Sequence, residues 1–342
     1  MNMHKIILNE ERNVSLSCFI QDVGGEYGQV VKRPAILILP GGGYSMCSDR
    51  EAEPIAFSYL QAGFQAFVLR YSVGEHRAWP NPLNDYEHAM TLLLENADAW
   101  HIQPDKIAVI GFSAGGHLAA CAATVAKHRP SAAILGYAAI SKDIVDMCQP
   151  GMPYPAQHVS GDTCPCFLFA ARDDSLVPTS NNLEFESALS DHGIQFESHI
   201  YAYGGHGFST GDPYLYGGAI CNRASHWVRD SIDWIWDVFG SFTTEGFGSP
   251  TCAGKLNSNR EATLSADCTL GHLLKQSEAV QELLQELLTD VGKTAAQRSV
   301  SADGLLFALR MTPLRELMRT LGHSSEATEQ LDAQLKQFPN AQ

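Results

Sequence analysis

Lys106-Ile-Ala-Val-Ile-Gly-Phe-Ser-Ala-Gly-Gly-His-Leu-Ala-Ala120 is the stretch that decides the fold, because a short apolar run passes through glycines into a helix-forming segment. The β-branched and apolar residues 107–110 predict a strand that is buried on both faces of a parallel sheet. Gly111 and Gly115 lack a Cβ, so the strand and the following helix can approach closely around a tight turn. The stretch therefore predicts a strand, a sharp turn and a helix, with Ser113 exposed above the end of the strand.

The turn at Ser113 has the pattern G-x-S-x-G, which presents a serine hydroxyl as a nucleophile. The N-terminus of the following helix directs its dipole and its free N–H groups toward the space beside that hydroxyl. We therefore predict Ser113 as a nucleophile and the N–H of Ala114 as a donor to an oxyanion. The alternative is a surface serine in an ordinary turn, because the pattern can arise by chance in a chain with 29 glycines.

The composition is that of a folded α/β domain with an additional part. The chain has 342 residues, of which 45% are hydrophobic and 18% are charged. Its net charge of −15 argues against a general electrostatic attraction to nucleic acid or to an anionic membrane surface. No apolar run approaches membrane-spanning length. We therefore expect a small-molecule or oligosaccharide ligand, with neither nucleic acid nor membrane as a partner.

The cysteines and the N-terminus predict a cytoplasmic location. The nine cysteines are scattered, and Cys121 and Cys166 fall in elements expected to be buried, which is typical of reduced thiols. The first residues lack the hydrophobic core of a secretory signal. Cys164-Pro-Cys166 has no second cysteine or histidine pair at ligand spacing, so we expect a structural strand there and no metal site.

A glycine-rich turn follows an earlier apolar strand. Residues 34–39 are uniformly apolar and continue into Pro40-Gly-Gly-Gly-Tyr44, whose backbone can turn its N–H groups toward a ligand. We predict that Gly42 or Gly43 supplies the second oxyanion donor, as an HGGG-type motif does, although Pro40 stands where that motif has histidine. A plain glycine turn is the alternative.

The acid and the base are predicted from two later strand ends. Residues 165–171 form an apolar strand before Arg172-Asp-Asp-Ser-Leu-Val-Pro178, in which Asp174 fits a D-x-x-V-P spacing and Asp173 is the alternative acid. Residues 196–203 alternate as a strand, and His206 lies in the glycine-rich loop after it. We expect His199 and His117 to have packing or hydrogen-bonding roles. The order Ser, Asp, His is that of α/β hydrolases.

The surroundings of this site are predicted less directly. Tyr44, Tyr71 and Trp79 are candidates for the substrate pocket, and the irregular segment 141–163 is a candidate for its acyl or leaving-group side. Ser48 and Glu51 have the spacing of a capping box at the start of a helix.

The rest of the chain predicts a catalytic domain and a helical appendage. Strands are expected at 13–20, 66–71 and 132–137, and helices at 84–100 and 220–239. Three apolar stripes after residue 276 predict a helical bundle, whose packing partner is either the catalytic domain or a second copy of the chain. We assign 1–243 to an α/β-hydrolase catalytic domain, 244–266 to a linker and 267–342 to a helical C-terminal domain.

With these residues in place, the chain from about 33 to 240 resembles the α/β-hydrolase esterases, especially the bacterial acetyl xylan esterase-like branch. The resemblance is carried by the following segments: Pro40-Gly-Gly-Gly-Tyr44, Ser48-Asp-Arg-Glu51, Gly111-Phe-Ser-Ala-Gly-Gly-His117, Asp174-Ser-Leu-Val-Pro178 and Gly205-His-Gly207. It implies a mostly parallel central sheet flanked by helices, and removal of a small acyl group, acetyl foremost, from a carbohydrate. It also implies Ser113, Asp174 and His206 as the triad, with no metal or organic cofactor.

Two other functions are consistent with the same residues. An amide hydrolase, such as an arylformamidase or a peptidase, uses the same triad. A non-catalytic binding protein on a hydrolase scaffold, with the helical tail as its interaction module, is the second alternative.

Overall fold

An eight-stranded sheet lies at the centre of the first part of the chain. In this computed structural model, which describes residues 1–243, 246–252 and 254–340, the strands are β1 (Asn2–Asn9), β2 (Val14–Ile20), β3 (Arg33–Leu39), β4 (Gln65–Arg70), β5 (Ile102–Phe112), β6 (Ala132–Gly136), β7 (Cys166–Ala171) and β8 (Phe196–Tyr201). Their order in the sheet is β1-β2-β4-β3-β5-β6-β7-β8. The pairs β1/β2 and β2/β4 are antiparallel, and all later pairs are parallel. The predicted mostly parallel sheet is confirmed.

Helices accompany this sheet as βα crossovers require. They are α1 (Glu53–Gln61), α2 (Asn81–Glu95), α3 (Ala114–Thr124), α4 (Lys142–Cys148), α5 (Ser180–Asp191) and α6 (Trp227–Phe239). The strands β3, β4, β6 and β7 are buried along almost their whole length, and β5 is buried from residue 107 onward, which explains their apolar sequences. An aromatic cluster supports the carboxyl ends of β5 to β7, where Phe169 and Trp227 stack with ring centroids 4.2 Å apart.

The turn after β5 depends on two close backbone approaches. A Cβ on Gly111 would lie 2.0 Å from the carbonyl oxygen of Gly115, and a Cβ on Gly115 would lie 2.1 Å from that of Leu39. Ser113 itself has φ of 53° and ψ of −117°. This backbone conformation is energetically unfavourable for any residue other than glycine. The glycine pair therefore lets β5, α3 and the end of β3 meet around this strained serine.

Several local predictions are wrong, and each has a physical reason. The edge strand β1 was not expected, because it is mostly exposed and has no apolar alternation. The segment 141–163 is not wholly irregular but contains α4, which its prolines and glycines obscure. The last helix of the first part begins at Trp227 rather than 220. The capping box is also wrong, because Ser48 makes no side-chain cap bond.

By its internal contacts the chain divides into two units. The first comprises Met1–Ser190 with Gln195–Gly254, and the second comprises Asp191–Ile194 with the chain from Lys255 onward. Two short strands, β9 (Phe242–Thr243) and β10 (Gly246–Phe247), pair antiparallel near the end of the first unit. The linker proposed for 244–266 stays a prediction, and its residues Thr244, Glu245 and Ala253 lie outside the described residues.

The second unit is helical, as predicted. Its helices are α7 (Leu270–Leu273), α8 (Glu278–Leu283), α9 (Gln285–Gln297), α10 (Ala302–Leu309), α11 (Leu314–Thr320) and α12 (Ser325–Leu335). They enclose a core of their own that includes Leu287, Val291, Leu317 and Leu335. The Ser324 hydroxyl accepts a hydrogen bond from the Ala327 N–H and so caps α12. Across the described ranges of both units, no helix has the length and apolar character that a bilayer crossing needs.

Candidate active site

Three residues far apart in sequence meet at the carboxyl ends of β5, β7 and β8. The Ser113 Oγ lies 2.9 Å from His206 Nε2, and His206 Nδ1 lies 2.6 Å from Asp174 Oδ2. Because the carboxylate can only accept, the imidazole carries its proton on Nδ1 and leaves Nε2 free to accept from the serine hydroxyl. This is the arrangement in which a histidine can remove the serine proton during nucleophilic attack.

Asp174 is fixed from both sides of its carboxylate. The N–H groups of Leu176 and Val177 donate to its Oδ1 at 2.9 and 2.8 Å, while Oδ2 faces His206. Its side chain has no solvent exposure. The turn after β7 therefore supplies the donors that hold this acid in one orientation.

The neighbouring acid, Asp173, supports the histidine loop instead. Its Oδ1 accepts from the N–H groups of Gly204 and Gly205 at 2.9 and 3.1 Å. The hydrogen bond from Gly205 lowers the pKa of Asp173, and that from Gly204 adds to the effect. Of the two aspartates considered from sequence, the structure thus places Asp174, and not Asp173, against His206.

The predicted oxyanion donors lie beside the serine. Gly42, Gly43 and Ala114 line the same cavity as Ser113 and His206. Among the described residues, none accepts a hydrogen bond from the backbone N–H of these three, so the groups are free to bind a ligand oxygen. Ala114 begins α3, whose N-terminal dipole adds positive potential at this point.

The cavity has a volume of about 670 Å³, and its lining is more apolar than polar. The apolar residues of the lining, referred to below as the apolar wall, include Met46, Ile144, Met147, Leu176 and Val177. Ile144 and Met147 belong to α4, so the segment 141–163 does contribute to the cavity, as expected. The polar part of the lining includes Arg50 and Arg77.

The three aromatic pocket candidates do not line this cavity. Tyr44 and Tyr71 are buried, and their hydroxyl groups are used by His117 Nδ1 at 2.7 Å and by the Pro40 carbonyl at 2.6 Å respectively. Trp79 is half-buried, with its ring centroid 6.0 Å from that of His117. None of the three therefore contributes to the lining of this cavity.

His117 has the hydrogen-bonding role that its helical position indicated. Its Nε2 lies 2.8 Å from the Pro153 carbonyl oxygen, which can only accept, so this nitrogen carries the proton. Nδ1 is then the acceptor for the Tyr44 hydroxyl. Burial lowers the pKa of His117 to about 4, so this histidine stays neutral and structural near neutral pH.

Sequence reasoning missed Glu51 as part of the site. Its carboxylate is 3% exposed and accepts from the Gly41 N–H at 2.9 Å and from the Tyr137 hydroxyl at 2.6 Å. Burial raises the pKa of Glu51, and the two hydrogen bonds oppose that shift. Its S-x-x-E spacing suggested a helix cap, and nothing in the local sequence indicated partners so distant.

Within the residues that the structure describes, no three His, Cys, Asp or Glu side chains form a group that could hold a metal ion. The described cysteines, including Cys164 and Cys166, are free thiols.

The chain is similar to several known proteins. The family profile described as BD-FAE matches residues 26–144, a range that includes Ser113 and the glycine turn after β3. The solved structure of MGS-M1, an α/β hydrolase enzyme from a Medee basin deep-sea metagenome library, is 46% identical, with a TM-score of 0.65. That similarity covers 70% of this chain and 98% of the MGS-M1 chain. The chain belongs to the α/β hydrolases.

The chain is also similar to parts of two curated proteins. It is 30% identical to an acetylxylan esterase of Xylanibacter ruminicola over 63% of this chain and 50% of that protein. It is 29% identical to endo-1,4-beta-xylanase B of Butyrivibrio fibrisolvens over 55% of this chain and 34% of that protein. The matches therefore span half or less of the length of these two curated relatives.

Proposed function

We propose that this α/β hydrolase is a serine esterase that removes short acyl groups, acetyl foremost, from carbohydrates or acetylated oligosaccharides. The observation that carries the proposal is the hydrogen-bonded series Ser113, His206 and Asp174 beside three unpaired backbone N–H groups. The similarity to an acetylxylan esterase supports an acetylated sugar as the substrate class.

The mechanism follows from the positions of these groups. His206 Nε2 takes the hydroxyl proton as Ser113 Oγ attacks the ester carbonyl carbon, and Asp174 stabilises the imidazolium that forms. The carbonyl oxygen becomes an oxyanion, which the N–H groups of Ala114 and of Gly42 or Gly43 stabilise by about 3 to 4 kcal/mol per donor in comparable sites.

Collapse of this intermediate breaks the bond to the sugar oxygen, which leaves as an alcohol with the proton from His206. The acyl group then remains on Ser113. Water repeats the sequence: His206 removes one of its protons, the hydroxide adds to the acyl carbon, and the carboxylic acid departs as the serine hydroxyl is restored.

The test is hydrolysis of a 4-nitrophenyl ester series from acetate to octanoate, followed by acetate release from acetylated xylo-oligosaccharides. We expect acetate to be preferred and Ser113→Ala to reduce kcat by about 10⁴-fold or more, because the covalent step is lost. Ser58→Ala, on the exterior helix α1 and outside the cavity lining, is the matched serine control and keeps full activity.

Three results would contradict the proposal. Full activity in Ser113→Ala would exclude Ser113 as the nucleophile. A strong preference for N-formyl or peptide substrates over acetyl esters would select an amide hydrolase, and failure of the wild-type chain to react with a fluorophosphonate would indicate a binding protein.

A further inference from the structure

Glu51 is a buried carboxylate that has no cationic partner. It forms no ion pair within the described part of the chain, and its two carboxylate oxygens accept from an amide and a hydroxyl. Removing a carboxylate from water without a neutralising cation is costly. The positions of its two hydrogen-bond donors indicate why a buried carboxylate is present here.

One carboxylate oxygen holds the start of the glycine loop, residues 40–44. The Gly41 N–H donates to Glu51 Oε2 at 2.9 Å, immediately before the amides of Gly42 and Gly43. A Cβ on Gly41 would lie 2.7 Å from this oxygen and 3.1 Å from the Ser113 Cβ. The contact therefore fixes the glycine loop at the point where it passes the nucleophile.

The other oxygen connects to the histidine loop, residues 204–209. The Tyr137 hydroxyl donates to Glu51 Oε1 at 2.6 Å and accepts from the Ser209 N–H at 3.1 Å. The ring of Tyr137 packs edge-on against His206, with centroids 5.1 Å apart. Glu51 and Tyr137 thus reach the histidine loop through both its backbone and its imidazole.

A second connection joins the same two regions. The Ser209 hydroxyl donates to the carbonyl of Arg50, the residue before Glu51, at 2.5 Å. The Trp227 indole N–H donates to the Ser209 carbonyl at 2.8 Å. Ser209 therefore remains anchored when the Tyr137 hydroxyl is removed, so the expected effect on geometry is a displacement and not an unfolding of the loop.

We propose that Glu51 is a positioning residue that holds the glycine loop and the histidine loop in one geometry, so that the oxyanion donors and His206 are aligned on the same Ser113. A carboxylate suits this role because both of its oxygens accept and both of its partners donate. The inference rests on the proposed function, because it concerns the alignment of that reaction.

The test measures kcat and KM separately for 4-nitrophenyl acetate in Glu51→Gln, Glu51→Ala and Tyr137→Phe. We expect kcat to fall about 100-fold in Glu51→Ala, since small misplacements of reacting groups have effects of that size. We expect about a 10-fold loss in Glu51→Gln, because the amide still accepts from Gly41 but presents N–H groups to Tyr137. We expect KM to change less than about threefold, because Glu51 lines the cavity but is only 3% exposed, and the apolar residues of the lining are unchanged.

The control variant is Glu53→Gln. Glu53 lies two residues along the chain, pairs with Arg70 at 3.1 Å and does not line the cavity, so kcat remains that of the wild type. The double variant Glu51→Gln with Tyr137→Phe is expected to lose little more than Glu51→Gln alone, since both substitutions interrupt one connection. Thermal unfolding and end-point fluorophosphonate labelling establish the folded, reactive fraction of each preparation.

Three results would overturn the inference. These are kcat within twofold of wild type in both Glu51→Gln and Tyr137→Phe, a rise in KM alone, or a loss explained entirely by unfolded protein. Failure of the proposed function is distinguishable, because then the wild-type chain itself shows no Ser113-dependent hydrolysis. That result would remove both proposals, whereas an active wild type with unaffected Glu51 variants removes only this one.

Discussion

Buried carboxylates occur in both units of the chain, and Asp332 of the second unit differs from Glu51 of the first in the groups that surround it. Asp332 in the second unit is 2% exposed and accepts from the Ala266 N–H at 2.7 Å. It also pairs with Lys336 at 2.6 Å and lies 3.7 Å from Arg315. Glu51 in the first unit is 3% exposed and forms no ion pair among the described residues; its hydrogen bonds are to the Gly41 amide and the Tyr137 hydroxyl, and the charges of Arg50 and His206 act on it only weakly.

The pKa values shift in opposite directions as a result. Burial acts to raise the pKa of Asp332, but the hydrogen bonds from Lys336 and Ala266 and the neighbouring charges outweigh burial and lower it. For Glu51 burial prevails, and the pKa is raised. A carboxylate with cations around it supports the fold of its own unit, whereas one held only by neutral donors is better explained by what those donors position.

The strongest test of this comparison is at another buried carboxylate, Asp174, which has Asp173 beside it as a control. Asp174→Asn should reduce kcat by about 10⁴-fold, because the His206 tautomer that accepts the serine proton is no longer favoured. Asp173→Asn should reduce it less than about tenfold, since its side-chain oxygen still accepts from Gly204 and Gly205. Both are measured with 4-nitrophenyl acetate, and a reversed order of the two losses would exchange their roles.

The next prediction concerns stability in the second unit. Asp332→Asn should lower the free energy of unfolding by about 1 to 3 kcal/mol, because charge-assisted hydrogen bonds to a buried group are lost. Esterase activity should not change, as the polar partners that the structure gives Asp332, namely Ala266, Arg315 and Lys336, belong to its own unit. Urea unfolding monitored by circular dichroism measures the first quantity, and equal stability of variant and wild type at pH 7 would contradict it.

The pH dependence of this effect has a definite sign. Because the folded pKa of Asp332 is lowered, its stabilisation is present above the unfolded value of about 4 and is lost as pH falls through the folded value. The difference between wild type and Asp332→Asn should therefore shrink on acidification below about pH 4. A difference that grows toward acid would reverse the assignment.

The smallest expected effect is on the stability of Glu51→Gln. A carboxyl group whose folded pKa is raised destabilises the folded state once pH exceeds its unfolded value of about 4.3, and fully above the folded value. The glutamine variant should consequently be as stable as the wild type at pH 5 and equal or up to about 1 kcal/mol more stable at pH 8. A marked loss of stability at pH 8 would make Glu51 structural, like Asp332.

Much of this molecule was predictable because its signals are local. The turn at Ser113, the glycine run after β3 and the acid after β7 each follow a buried strand, and the histidine follows the half-buried strand β8. Parallel strands end at one edge of the sheet, so these residues meet there. These local patterns and the order of Ser113, Asp174 and His206 along the chain were sufficient to predict the triad. Not all of the C-terminal helices were predicted. Two of them, α7 and α10, have no strong apolar stripe that would have indicated them.

The rest depends on contacts that no short window of sequence contains. Glu51 and Tyr137 are 86 positions apart, and the spacing of Ser48 and Glu51 fits a helix cap as well as a carboxylate turned inward. The aromatic candidates Tyr44 and Tyr71 were misplaced for a similar reason. A tyrosine in a loop, such as Tyr44, or just after a strand, such as Tyr71, can point to either side of the backbone, and the acceptors that settle its direction lie on other segments.

The interlocked glycines at 111 and 115 also determine where this protein can change. Any side chain at either position would collide with main-chain carbonyl groups at about 2 Å. We therefore expect single substitutions at these two glycines next to Ser113 not to be tolerated. The wall that includes Ile144, Met147 and Leu176 has no such restriction, and Met147 and Leu176 are themselves 78% and 60% exposed. Substitutions that arise in evolution or in laboratory selection should therefore accumulate at the apolar wall and change the acyl preference, while the residues of the reaction centre stay the same.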